Sequence, residues 1–175
     1  MVPSVKTQVN APPPIFAPAP PGTAILSPGG FSPLERYGVK RVLVVDDEES
    51  IRMLIEAALE GPDFSVCHAD NGRDALGLVR TAPPDVVVLD WVMPGMQGTD
   101  VLRELRAQPA TRDIPVVVVT AMCQERNREE AVAAGADAYL FKPFSPLELL
   151  RTINSVFLER ELRASDLPAH TAAAK

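Results

Sequence analysis

The sequence predicts an α/β fold over residues 39–160: five parallel strands and five helices in strict alternation, (βα)5, with the sheet doubly wound and covered on both faces. Three observations carry that expectation. Five short apolar runs recur with room for one helix between each pair. The third and fourth runs, "DVVVL" (85–89) and "IPVVVV" (114–119), are β-branched without polar alternation, which marks strands buried on both sides. The segments between the runs place apolar residues at helical spacing.

In chain order, "RVLVV" (41–45) reads as the first strand. A helix follows from Ser50 to Glu60, because Ile51, Leu54, Ile55, Ala58 and Leu59 fall at i, i+3, i+4, i+7 and i+8 and Gly61-Pro62 stops it. "FSVCH" (64–68) is the second strand, followed by a weaker helix near 72–80. After the third strand comes a helix near 98–107, and after the fourth one near 125–134. "AYLF" (138–141) is the fifth strand. The last helix, near 146–160, sets Leu147, Leu150, Ile153 and Phe157 on one stripe. Parallel neighbours require crossover helices, and those crossovers are right-handed, so an open sheet is the economical solution.

Outside this region the composition changes. Half of the 18 prolines lie within Met1 to Leu34, where "APPPIFAPAPPG" has no period of 2 or 3.6. Proline removes amide donors and fixes φ, so residues 1–38 are expected to be an extended, disordered leader. Residues 161–175 are expected to be a flexible tail. Nothing resembles an export signal, and no apolar run approaches the roughly 18 residues of a membrane span. A soluble, cytoplasmic protein is the expectation. Cys67 and Cys123 are too few for a disulfide framework and read as small hydrophobes. The net charge of −6 argues against direct attraction to nucleic acid or an anionic membrane.

Ligands of open parallel sheets bind beyond the carboxyl ends of the strands. Here the first strand ends in "VVDDEE", the third in "VLD", the fourth in "VVTA" and the fifth in "LFKP", which delivers Asp46, Asp47, Asp90, Thr120 and Lys142 to one rim. Two carboxylates at 4 Å repel by about 4 kcal/mol at an effective dielectric near 20, so the three acids need a cation. Mg²⁺ suits them, since it takes one or two carboxylates together with phosphate oxygens. Lys142 can neutralise further charge and Thr120 can donate a hydrogen bond, a set of parts suited to phosphoryl transfer onto a carboxylate.

These residues, in this order, resemble the receiver domains of two-component response regulators, among them the single-domain chemotaxis regulators. The resemblance spans about 39–159 and rests on "VVDDE", "VLDWVMPGMQG", "VVVVTA" and "GADAYLFKPF" together. It implies a flavodoxin-like sheet and a phosphoryl group accepted on Asp90. It also implies Mg²⁺ held by Asp46, Asp47, Asp90 and the backbone carbonyl of Val92, Lys142 on a phosphoryl oxygen, and Thr120 with Tyr139 as a coupled switch. A cis bond before Pro143 is implied as well. The donor would be a phosphohistidine on a sensor histidine kinase or phosphotransfer protein. Neither His68 nor His170 reads as that histidine. Two positions where the family varies, Val92 and Met122, are apolar here, so slow self-dephosphorylation is expected.

Other readings fit less well. A phosphatase of the haloacid-dehalogenase type, Mg²⁺-dependent and with an aspartyl nucleophile, would place a second acid two residues after Asp90, where Val92 stands. A flavin mononucleotide binder would need a Ser/Thr/Gly-rich phosphate loop, and a Walker-type NTPase would need its glycine-lysine motif; neither is present. The chain is therefore expected to catalyse only its own phosphorylation and dephosphorylation. "ASDLPAHTAAAK" after the last helix is too short for an output domain. Output is expected from the face formed by 125–134, 138–142 and 146–158, engaging a protein partner or a second copy. The alternative is a phosphorelay intermediate that passes the group to a phosphotransfer histidine.

Overall fold

The computed structural model describes residues 38–121 and 125–165. The leader to residue 37, the segment with Met122 and Cys123, and the residues after Ser165 lie outside the described residues. The elements are β1 (Lys40–Val45), α1 (Glu49–Ala58), β2 (Phe64–Ala69), α2 (Gly72–Thr81), β3 (Val86–Asp90), α3 (Gly98–Ala107), β4 (Val116–Thr120), α4 (Glu125–Ala133), β5 (Ala138–Phe141) and α5 (Pro146–Ser165). The strands form one sheet in the order β2-β1-β3-β4-β5, every pair parallel. This is the doubly wound (βα)5 architecture expected.

The sheet's position in the fold follows from strand periodicity. Successive residues of a strand face opposite sides, so Val42, Val44, Val86 and Val88 join one core while Leu43, Val45, Val87 and Leu89 join the other. The first core is closed by Ile55 and Leu59 beside α1 and by Leu149, Ile153 and Val156 of α5. The second is closed by Ala75, Leu78 and Val79 of α2, by Val101, Leu102 and Leu105 of α3, and by Ala131 of α4. β3 and β4 are buried at every position, as their unbroken valine runs require. Each such side chain contributes about 1.5–3 kcal/mol relative to leaving it in water.

Two expected helix faces hold except at one position each. Leu54 of α1 is 40% exposed, while Ile51, Ile55, Ala58 and Leu59 pack against the sheet. On α5, Leu147 is 55% exposed, while Leu150, Ile153 and Phe157 pack against the core together with Leu149 and Val156. Leu54 and Leu147 continue the helical spacing but fall beyond what the sheet covers. α5 also continues to Ser165, past the expected end near 160. β4 begins at Val116, because Pro115 has no amide to donate; its carbonyl still accepts from Val87 N at 2.9 Å.

The far side of the sheet is tied by one arginine. Arg106 at the end of α3 donates from Nε to the Gly135 carbonyl (2.9 Å), from Nη1 to that of Ile114 (2.8 Å) and from Nη2 to Asp137 (2.8 Å). Asp137 in turn accepts from Val116 N at 2.8 Å. The start of β5 is thereby held to the start of β4. Among the described residues no helix is long and apolar enough to cross a membrane.

Candidate functional site

The five rim residues named from the sequence do converge. Asp46 directly follows β1 and is 1% exposed; its amide bonds to the Ala69 carbonyl at 3.2 Å, which holds it in line with the ladder. Its Oδ1 accepts from Glu48 N (2.9 Å) and its Oδ2 from Lys142 Nζ (2.7 Å). Asp90 ends β3, is 5% exposed, and lies 3.1 Å through Oδ1 from the same Nζ. Lys142 follows β5, its amide donating to the Thr120 carbonyl at 2.8 Å, so the ladder sets both residues at the rim. Thr120 is fully buried at the end of β4.

One oxygen from each of Asp46, Asp47 and Asp90 lies within 4.8 Å of the other two. Asp47 is exposed while the other two are buried. Burial and charge together shift two of these groups. Burial pushes the Asp90 carboxyl up to about 6; the Lys142 charge and hydrogen bond oppose that rise, and the Asp46 and Asp47 charges add to it. For Lys142, burial works against the ammonium, but the Asp46 hydrogen bond and the charges of Asp90 and Asp46 prevail and hold its pKa above the usual lysine range. A cluster of hard, mutually repelling oxygen donors beside one ammonium has the donor chemistry of a Mg²⁺ site. The residues therefore fit the ion, and among the described residues the Val92 carbonyl accepts no hydrogen bond that would compete for it.

The loop after β3 depends on a glycine. Trp91 N donates to the Val119 carbonyl (2.9 Å), and Gly98 N donates to the Trp91 carbonyl (3.1 Å). A Cβ at Gly98 would stand 2.3 Å from the Asp90 carbonyl oxygen, so only glycine lets α3 start this close to the acceptor strand. Val92 is 48% exposed on that loop.

On β5, Tyr139 pairs in register with Val118, and Phe141 with Thr120. Paired residues share a face, which puts Tyr139 diagonal to Thr120 on the same side of the sheet. Tyr139 is half-buried against the α2–α4 core and meets Phe141 edge-on, with ring centroids 4.9 Å apart. The Lys142–Pro143 bond is cis. Two residues escaped the sequence reading. Arg52 of α1 donates from Nη1 to the Asp46 carbonyl at 2.6 Å, and Glu48 Oε1 lies 3.8 Å from Lys142 Nζ. The acidic run "DDEE" hinted at Glu48; nothing local marks Arg52, whose partner is six residues earlier.

Cys67 and His68 lie within β2, paired with Leu43 and Val44 of β1. Burial raises the Cys67 thiol pKa, consistent with a packing role, and His68 Nε2 pairs with Glu56 at 3.1 Å. Met122 and His170 lie outside the described residues.

Sheet order and rim chemistry together define a class: small α/β signalling domains built around a strand-end aspartate. Residues 42–154 match the response regulator receiver domain, and the chain belongs to that family. It is 38% identical over 117 residues to the phosphate regulon transcriptional regulatory protein PhoB of Pseudomonas aeruginosa, covering 67% of this chain and 51% of that protein. It is 37% identical over 138 residues to the transcriptional regulatory protein ResD of Bacillus subtilis, covering 79% and 56%. The chain thus spans about half the length of these curated relatives. Among solved structures it resembles the chemotaxis protein CheY4 of Vibrio cholerae (34% identity, TM-score 0.65, covering 68% of this chain and 99% of that one). A receiver domain of Francisella, response regulator 1452, is similar at 35% identity and a TM-score of 0.64, covering 69% and 98%.

Proposed function

We propose that this chain is a phosphorylation-activated switch of a two-component system, with Asp90 as acceptor. The observation that carries this reading is the Lys142–Asp90 contact of 3.1 Å inside the group of three carboxylates. An Asp90 oxygen attacks the phosphorus of a phosphohistidine on a sensor histidine kinase or phosphotransfer protein. The O–P bond forms as the P–N bond breaks, and the histidine nitrogen leaves with the bonding pair. Asp90 must be ionised to attack, which it is above about pH 6. Asp46, Asp47 and Asp90, with the Val92 carbonyl, would hold Mg²⁺, which when bound neutralises charge on the carboxylates and the arriving phosphoryl group. Lys142 releases part of its hold on Asp46 to meet a phosphoryl oxygen.

Thr120 then donates to a second phosphoryl oxygen, and Tyr139, diagonal to it, moves into the space vacated. The phosphoryl group biases an existing equilibrium between two arrangements of this face. Output is read by a protein partner or a second copy on the face built by α4, β5 and α5. In support, Val132, Phe141 and Leu147 are exposed apolar residues on those three elements. No reaction on an external substrate is assigned to the chain. The test is labelling with acetyl phosphate and Mg²⁺ followed by intact mass measurement. One phosphate is expected on the wild type and none on Asp90→Asn. Undiminished labelling of the variant would refute the acceptor assignment.

A further inference from the structure

We infer that Arg52 is a capture residue for anionic phosphoryl donors at the rim of the acid cluster. The inference rests on Asp90 being the acceptor. An incoming phosphoryl donor is itself an anion, and it must approach Asp46, Asp47, Asp90 and Glu48. The ammonium in contact with that cluster, Lys142, is already shared between Asp46 at 2.7 Å and Asp90 at 3.1 Å. The other cation in direct contact with a cluster residue among those described is Arg52, and it touches no carboxylate there.

Arg52 is half-buried on the first turn of α1, and its Nη1 donates to the backbone carbonyl of Asp46 at 2.6 Å. That bond anchors one edge of the guanidinium while leaving its charge unpaired, since no ion pair involving Arg52 occurs among the described residues. Covalent geometry keeps the Asp46 carboxylate within about 5 Å of its own carbonyl. The anchored guanidinium therefore lies within about 8 Å of the Asp46 carboxylate, and so within about 12 Å of Asp90, whose ligand oxygen is within 4.8 Å of that of Asp46. Its remaining N–H groups have the planar fork that matches phosphate and carboxylate oxygens. An arginine tied to a carbonyl in this way offers a fixed positive charge that costs little side-chain ordering when the donor arrives.

The test compares two small donors by their charge, acetyl phosphate, doubly charged near neutral pH, and phosphoramidate, singly charged. In both reactions the Asp90 O–P bond forms as the bond to acetate or ammonia breaks, and the leaving group takes the bonding pair. A unit charge about 8–12 Å away through a water-like dielectric gives roughly a two-fold effect on the second-order rate constant for the singly charged donor and about three- to six-fold for the doubly charged one. At low ionic strength Arg52→Gln should show those losses, Arg52→Lys should stay near wild type, and about 1 M salt, with its Debye length near 3 Å, should abolish the difference. Mg²⁺ affinity, followed by the fluorescence of Trp91 beside the acceptor, should hold or rise in Arg52→Gln. Equal losses with both donors, or weakened Mg²⁺ binding, would reduce Arg52 to a prop for the β1–α1 turn and overturn the inference. Wild-type protein that neither donor labels would instead sink the acceptor reading, and this inference with it.

Discussion

Lys142 sits closer to Asp46 than to Asp90: Nζ is 2.7 Å from the first carboxylate and 3.1 Å from the second. The ammonium is the counter-charge of a buried acid as much as a neighbour of the proposed acceptor. A buried carboxylate deprived of its partner is left uncompensated, which is far more costly than losing a surface pair.

Lys142→Met should therefore destabilise the metal-free protein by about 3 kcal/mol. Added Mg²⁺ should recover part of that loss by supplying a replacement cation. Urea denaturation in EDTA and in Mg²⁺ measures both effects, and equal destabilisation in the two conditions would mean that the lysine and the ion do not share the same carboxylates.

The raised pKa of Asp90 gives stability a definite pH dependence. The group binds its proton up to about pH 6 when folded and loses it near 3.8 when unfolded. Between those values the native state holds more protons than the unfolded state, so this group's contribution falls as pH rises and is constant above about 6. The full difference is about 3 kcal/mol. In EDTA, Asp90→Asn should remove this decline and be more stable than wild type at pH 7, with little difference at pH 4. Denaturation midpoints at the two pH values check the sign.

Gly98→Ala places a methyl group where the Asp90 carbonyl oxygen would be 2.3 Å away. The contact is with backbone, so the α3 start or the acceptor strand must shift. The expected loss is about 1–3 kcal/mol, accompanied by slower labelling from acetyl phosphate. Gly77→Ala, at an interior position of α2 with open space around a Cβ, is the control: it should leave labelling unchanged and raise stability by about 0.5–1 kcal/mol. Thermal melts and labelling time courses on the two variants separate site strain from a general effect of adding a methyl group.

Val92 stands two residues after the proposed acceptor and Met122 two after Thr120, and neither side chain can hydrogen-bond an attacking water. The double substitution Val92→Asn with Met122→Glu should shorten the lifetime of the phosphorylated protein in Mg²⁺ several-fold. Decay of purified phosphoprotein is the measurement, and an unchanged half-life would show that these positions do not control water.

Much of the site was legible because strand ends can be read locally. Each of "VVDDEE", "VLD", "VVTA" and "LFKP" marks where an apolar run meets a polar residue, and a parallel topology sends all such ends to one edge. The helix faces were legible except at their margins. On α5, Leu150, Ile153 and Phe157 pack as their spacing predicts, but Leu147 at the same spacing is exposed while Leu149 and Val156, off that stripe, are buried, because the edge of a helix face is set by how far the sheet covers it.

The sequence by itself determined the element order, the parallel sheet and the identity of the acids, hydroxyl and lysine at its rim, since these depend on period and chain order alone. Tertiary structure decided how those groups share charge. The Lys142–Asp46 bond joins residues 96 positions apart, the raised Asp90 pKa reflects burial beside two further acids, and the Arg52 guanidinium reaches the rim only because α1 folds back over the end of β1. Such quantities depend on separations of a few ångströms in a poorly screened interior, and no local pattern of residues carries those distances.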